Sequence, residues 1–253
     1  MIRDVTDMIR AYFDAFSLAN TYKLYPYLIL SGLLSLAIGS LIFAAAYGLS
    51  DNLGSFMQEW YPFDWGKDVI GTIANWFSGI LIALVGLFLY KYIILVIVAP
   101  LMSPLSEKLE EGMAGTSDGV TFSWARMIKE MLRGISIGLR NIFKEILYTI
   151  GLLIVSFIPG IAIISTPGIY LVQAYYAGFG NMDYFLERHY GVKESAQFIN
   201  RYRGAAAANG AIFLTLLLIP VIGLFFAPFL ATIAGTKVAY DRMKEEEEIG
   251  YSY

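Results

Sequence analysis

Apolar residues fall into four long blocks separated by charged segments. Pro26–Leu49 carries no charge over 24 positions and Val69–Tyr90 none over 22. Each exceeds the roughly 20 residues needed to cross the hydrocarbon core, so both predict full transmembrane helices. The third block, Ile146–Met182, has 37 residues and the fourth, Ala205–Thr236, has 32. Both are interrupted, the third by Phe157-Ile158-Pro159-Gly160 with Pro167-Gly168 soon after. The fourth is interrupted by Ile219-Pro220-Val221-Ile222-Gly223, then Pro228. Proline removes a backbone donor and clashes with the preceding turn, which predicts two short helices and a bend in each block. Two full crossings would need ~40 residues plus a turn, so hairpins that dip in and return fit the lengths better. A pair of kinked full spans is the plainer alternative. Broken backbone at membrane depth survives only where protein or a water-filled cavity satisfies it. A matched pair of such breaks points to a solute path.

Charge between the blocks favours the hairpins. The connection Asp51–Asp68 holds one basic residue, Lys67, against Asp51, Glu59, Asp64 and Asp68. Pro100–Glu145 holds Lys108, Arg126, Lys129, Arg133, Arg140 and Lys144. Positive-inside bias puts the first connection outside and the second in the cytoplasm. Re-entry of the third block keeps Arg188, Lys193, Arg201 and Arg203 inside, whereas a full crossing would export them. Two surface helices complete the pattern. Ile2, Val5, Ile9, Tyr12, Phe13 and Phe16 recur at helical spacing among Asp4, Asp7, Arg10 and Asp14, as in an interfacial helix. Arg126, Lys129, Arg133, Arg140 and Lys144 form a basic stripe on a second helix, opposite Ile128, Leu132, Ile135, Leu139 and Phe143. Its two readings are a helix lying on anionic lipid and a cationic vestibule that concentrates anions. Ser31, Ser35 and Gly39 mark a close helix contact, within or between protomers.

The expected fold is all-α and integral to the membrane, in one domain. Residues 1–25 form the interfacial helix, and 26–49 and 69–99 the transmembrane helices. An amphipathic cytoplasmic region occupies 100–145, re-entrant hairpins occupy 146–182 and 205–236, and an acidic tail occupies 237–253, within which the run Glu245–Glu248 reads as a solvated, disordered end.

Composition sharpens the class: 57% of residues are hydrophobic and only 15% charged, against about 25% charged in soluble domains. Cysteine is absent and His189 is the single histidine, which removes thiol chemistry and histidine-built metal clusters. A net charge of −3 gives no sign of nucleic-acid binding. The acidic start Met1–Asp7 does not read as a signal peptide. No phosphate loop, nucleophile elbow, metalloprotease helix or dinucleotide fingerprint is present. An enzyme is therefore not expected, and neither is a cofactor or metal. Helix N-termini at the bends, near Gly160–Ile161 and Val221–Gly223, offer backbone N–H groups to an anion. Lys91 reads as a snorkelling anchor or as a pore charge. Glu107 and Glu110 read as the polar face of a short helix, with Arg126, Arg133 or Arg140 as candidate partners.

Several motifs resemble a known family. Ala99-Pro100-Leu101 followed by Leu105-Ser106-Glu107-Lys108-Leu109-Glu110, Phe157-Ile158-Pro159-Gly160, Asp183-Tyr184 and Asn209-Gly210 with Ile219-Pro220, Ala227-Pro228 and Gly235-Thr236 beyond are similar in order and spacing to CysZ-type sulfate permeases. That family also includes the etoposide-induced membrane proteins. The resemblance implies a multi-pass inner-membrane homo-oligomer with two long helices, two half-penetrating hairpins and a channel-like sulfate route feeding cysteine synthesis. It also implies a sulfate site at the start of the first long helix, in a Pro-Gly-x-Arg-Arg-like stretch. The corresponding residues, Asn20–Tyr27, contain no arginine, and Lys23 is their only cation.

An anion channel or permease is thus the leading expectation, with sulfate or a similar oxyanion as cargo and membrane lipid as surroundings. Its route uses Lys23, Gly160, Ile161, Val221 and Gly223, with Glu107, Glu110, Arg126, Lys129, Arg133 and Arg140 as vestibule charges. The alternative is a non-transporting membrane scaffold of the same family, and a lipid-modifying enzyme is a third reading.

Overall fold

The computed structural model describes residues 1–59, 90, 93, 97–116, 124–156, 158, 162–219 and 221–250. Among these every regular element is helical: α1 (Ile2–Thr21), α2 (Tyr25–Glu59), α3 (Ala99–Ala114), α4 (Trp124–Ser156), α5 (Ala162–His189), α6 (Val192–Arg201), α7 (Arg203–Leu217) and α8 (Ile222–Glu248). Two helices are long and apolar enough to cross a membrane, over Tyr25–Ala45 and within Ile222–Glu248. The expected span at 69–99 lies outside the described residues except at its inner end, where Tyr90 and Val98 are buried in the core. Lys91 also lies outside them.

The described helices end on either side of Phe157–Gly160 and of Pro220, residues that lie, Ile158 apart, outside the described ones. α4 stops at Ser156 and α5 begins at Ala162, while α7 stops at Leu217 and α8 begins at Ile222. Pro167 and Pro228, by contrast, sit inside α5 and α8. Neighbouring helices tolerate the missing donor there, which corrects the expectation of short segments. The basic stripe and the first limb of the third block are likewise one helix of 33 residues. Pro100 in the first turn of α3 and left-handed Gly115 (φ 72°) at its end delimit that helix in the usual asymmetric way.

Helices α5, α7 and α8 form the centre. α5 and α7 cross at Gly178 and Gly210, where a Cβ on either residue would run into the partner's backbone at Ala206 or Ala174. Beside this crossing the buried Asn181 donates to Asn209 Oδ1 (2.9 Å), and Asn209 donates to the Ala231 carbonyl of α8 (2.9 Å). α2 packs on α8: Ser31 and Ser35 are fully buried, and Gly32 and Gly39 face Phe225 and Leu224. The small-residue seam is therefore a contact within the protomer. α1 lies across α7 and α8 on Met8, Ala11, Ala15 and Ala19 and turns its large residues outward, with Phe13 81% exposed. That outward face suits lipid.

The acidic end corrects the disordered tail of the sequence reading. α8 continues to Glu248 because its carboxylates find cations. Arg242, 3% exposed, pairs with Asp4 (3.1 Å), Asp7 (2.6 Å) and Glu245 (3.0 Å). Glu245 also pairs with Arg3, and Glu246 takes Arg201 (3.0 Å) and the Tyr202 hydroxyl (2.9 Å).

Candidate functional site

The basic stripe of α4 leads to a cavity of about 750 Å³ between α4, α5, α6 and the start of α7. Arg140 and Lys144 stand one turn apart on α4, Lys193 comes from the first turn of α6, and Arg203 opens α7. Asn141, Gln197 and Asn200 add polar groups, while Tyr148, Tyr175, Tyr176 and Phe179 form aromatic walls. No carboxylate is among its described lining residues. Arg140 is held from two sides: its guanidinium lies over the Phe179 ring (5.3 Å), and Nη1 reaches the Val192 carbonyl (3.5 Å). Its Nε is buried without a hydrogen-bond partner. Four cations around an aqueous hollow create a positive potential that an anion relieves, and guanidinium forks suit tetrahedral oxyanions.

The other expected charges are divided among separate clusters. Arg133 donates to the Tyr190 carbonyl (2.9 Å), Ser195 Oγ (2.8 Å) and Asp183 (3.3 Å). Burial pushes the Asp183 carboxyl up, against the pull of Arg133. Glu110 pairs with Arg188 (2.7 Å) and His189 (2.7 Å), while Arg133 and Arg140 find other partners. The cause is topological, since the end of α5 lies along α3, where Arg188 also reaches Ser106 Oγ (2.9 Å). Ser106 Oγ in turn meets Thr236 Oγ1 at 2.8 Å. Burial alone would raise the Glu110 carboxyl. The His189 hydrogen bond and the charge of Arg188 outweigh it and hold that carboxyl below the usual carboxylate range. Lys129 is exposed on α4, and Glu107 is half-buried on α3. The side chain of Arg126 lies outside the described ones.

Lys23 is elsewhere again. It forms the link between α1 and α2 in a left-handed conformation (φ 56°), and its carbonyl accepts from Lys108 Nζ (3.4 Å). Gly160 and Ile161 lie outside the described residues. Val221 precedes α8 at φ 63°, and the buried Gly223 donates its N–H to the Ile219 carbonyl (2.8 Å), which commits that amide within the turn. The cavity brings together Arg140 with Lys144, Lys193 and Arg203, whereas sequence reasoning used Lys193 and Arg203 only as markers of sidedness. The available signal was a pair of cations one helical turn apart at 140 and 144, followed by four more, Arg188, Lys193, Arg201 and Arg203, beyond the third block.

A sequence model described as Sulfate transporter CysZ/Etoposide-induced protein 2.4 matches residues 11–228. A sulfate transporter CysZ of Pseudomonas fluorescens (strain Pf0-1) is 30% identical over 235 residues, covering 89% of this chain and 91% of the relative. Another from Pseudomonas aeruginosa (strain LESB58) is 26% identical over 240 residues, covering 88% and 92%. A membrane protein by composition, helix length and kinship, the chain belongs to the Sulfate transporter CysZ/Etoposide-induced protein 2.4 family.

Proposed function

We propose that this protein is an anion permease of the bacterial inner membrane, with sulfate as its cargo for cysteine synthesis. The observation that carries the reading is the cavity ringed by Arg140, Lys144, Lys193 and Arg203 with no carboxylate among its described lining residues. The relatives' description as sulfate transporters supports the choice of cargo. Oxyanions gather over these cations, and the hydroxyl and amide groups between α3, α5, α7 and α8 provide weak sites beyond, as fast conduction requires. Lys23, on the separate link between α1 and α2, is a second candidate cation for the anion.

Bonds across the hairpins support re-entry. Arg133, before the third block, bonds Ser195, after it; Arg201, before the fourth, bonds Glu246, after it. A single full crossing would hold such pairs ~30 Å apart. From Glu145 to Ser156 the first limb extends about 18 Å, and the 15 residues of α7 extend about 22 Å. On the re-entrant reading both tips stop short of the far side. Their residues are apolar and exposed, with Ile163 80% and Leu218 64% accessible, as suits burial in acyl chains.

The test is uptake of radiolabelled sulfate into proteoliposomes, with phosphate and chloride as competitors. Selective uptake that falls at least fivefold in Arg140→Gln/Lys144→Gln is expected. Rates equal to those of empty vesicles would sink the reading. Lys23→Asn removes the second cation while keeping a residue that accepts the left-handed conformation, and a partial loss of uptake is expected from it.

A further inference from the structure

The cavity is far larger than its proposed cargo. At about 750 Å³ it lies in the ~300–1,000 Å³ range of pockets for organic ligands. A five-atom oxyanion displaces little more than one or two waters, each of about 30 Å³. Its lining is also graded along the helices. Lys193 and Asn200 on α6 and Arg203 on α7 supply the charged end, whereas Tyr148 and Leu171 stand nearer the hairpin tip. Tyr148 and Leu171 are 55% and 56% exposed, and on the same face of α4 the exposed surface continues over Gly151 and Val155 toward that tip. A cavity charged at one end and open at the other to an apolar, uncovered face has the polarity of a phospholipid. Tyrosine at the level between them is the side chain that favours the headgroup boundary, and basic pockets between membrane helices suit anionic headgroups.

We infer that this cavity seats an anionic phospholipid, its phosphate among Arg140, Lys144, Lys193 and Arg203 and its acyl chains running out past Tyr148 and Leu171. Lipid and transported oxyanion then compete for the same cations, so the anionic content of the leaflet sets how much of the site is open to cargo. The competition rests on the permease reading, whereas the lipid site itself does not.

Native mass spectrometry of the detergent-solubilised protein, titrated with phosphatidylglycerol or phosphatidylcholine, tests the site. Phosphatidylglycerol is expected to bind at least tenfold more tightly. Lys193→Gln/Arg203→Gln, at two exposed positions, should erase that preference. Leu171→Gln should weaken both lipids about equally, because it acts on the chains. Inorganic phosphate at the same concentration should fail to displace the lipid. Equal binding of the two lipids, or displacement of phosphatidylglycerol by an equal concentration of phosphate, would overturn the assignment. Sulfate uptake should fall as the phosphatidylglycerol fraction of the vesicles rises, and the double variant should flatten that dependence. Uptake independent of phosphatidylglycerol in the wild type would overturn the competition. Absence of uptake in every lipid would instead remove the permease reading and leave the binding result standing.

Discussion

Glu110 joins three helices through one carboxylate: it sits on α3, takes Arg188 and His189 from α5, and through Arg188 reaches the Ser106–Thr236 contact with α8. Glu110→Gln leaves the guanidinium short of its counter-charge. Breaking a largely buried pair costs about 3–5 kcal/mol, and the modest exposure of both partners puts the expected loss at the lower end, near 3 kcal/mol. It would be read as a drop in Tm in detergent. Because the Glu110 carboxyl is held low in the folded chain, its contribution is complete above the ordinary value of 4.5 and is lost as pH falls below it. The gap in Tm between wild type and variant should therefore close in that acid window. A gap that persists unchanged at pH 3 would refute the linkage. At the α5–α7 crossing, Gly178→Ala and Gly210→Ala each place a methyl group where the other helix has backbone. Overpacking commonly costs ~1–3 kcal/mol where side chains can shift. Backbone cannot shift so easily, so both variants should exceed that and lower the yield of folded protein.

At the scale of elements, α1 is attached to α8 chiefly by charge at one end and by small residues along its length. Arg242→Gln leaves Asp4, Asp7 and Glu245 facing one another without their shared cation, at a cost of about 3–5 kcal/mol. Faster amide exchange in α1, with α5 and α7 still protected, is the expected result. Uniform exchange across the protein would refute the latch. How much of this was legible in the sequence depended on the kind of signal. The ends of α4 and α7, shortly before Pro159 and Pro220, were readable because proline acts on its own helix. The survival of helix through Pro167 and Pro228 was not, because it depends on neighbours that supply packing. The seam of Ser31, Ser35 and Gly39 announced a close contact, but only the fold identifies Phe225 and Leu224 as its partners. Glu245–Glu248 read as a repelling run because Arg3 and Arg201 come from other helices, and because Arg242, three residues before Glu245, shows its shared role only once Asp4 and Asp7 are folded against it. Arg140 and Lys144 were visible as a stripe, while the cavity needed Lys193 and Arg203 to be folded back onto it.

For the whole molecule, sidedness is the decisive property. The chain contains no cysteine, so single cysteines can be introduced without a background. With re-entrant hairpins, Lys129→Cys and Lys193→Cys should both react with a membrane-impermeant maleimide only after the cytoplasmic face is opened. Labelling of Lys193→Cys from the outside would establish a full crossing of the third block instead. Ile158→Cys at the tip should resist the reagent from either side.

The described polar bonds between helices concentrate at the charged ends of the hairpins, while Ile154, Ile163, Leu218 and Val221 at the tips are exposed and apolar. In mechanical terms the bundle resembles a pair of tweezers with a stiff joint and compliant points. Parting the points breaks no ion pair among those described, and apart from the Tyr170 hydroxyl bonds to the Ala211 carbonyl (2.7 Å) and Thr215 Oγ1 (2.8 Å) it exchanges protein contact for lipid contact of similar quality. A rotation of about 5° at the joint moves a tip ~20 Å away by roughly 2 Å. If the points flank the route of the proposed permease, the thickness and lateral pressure of the bilayer become inputs to its width, and a thinner membrane should favour the parted form.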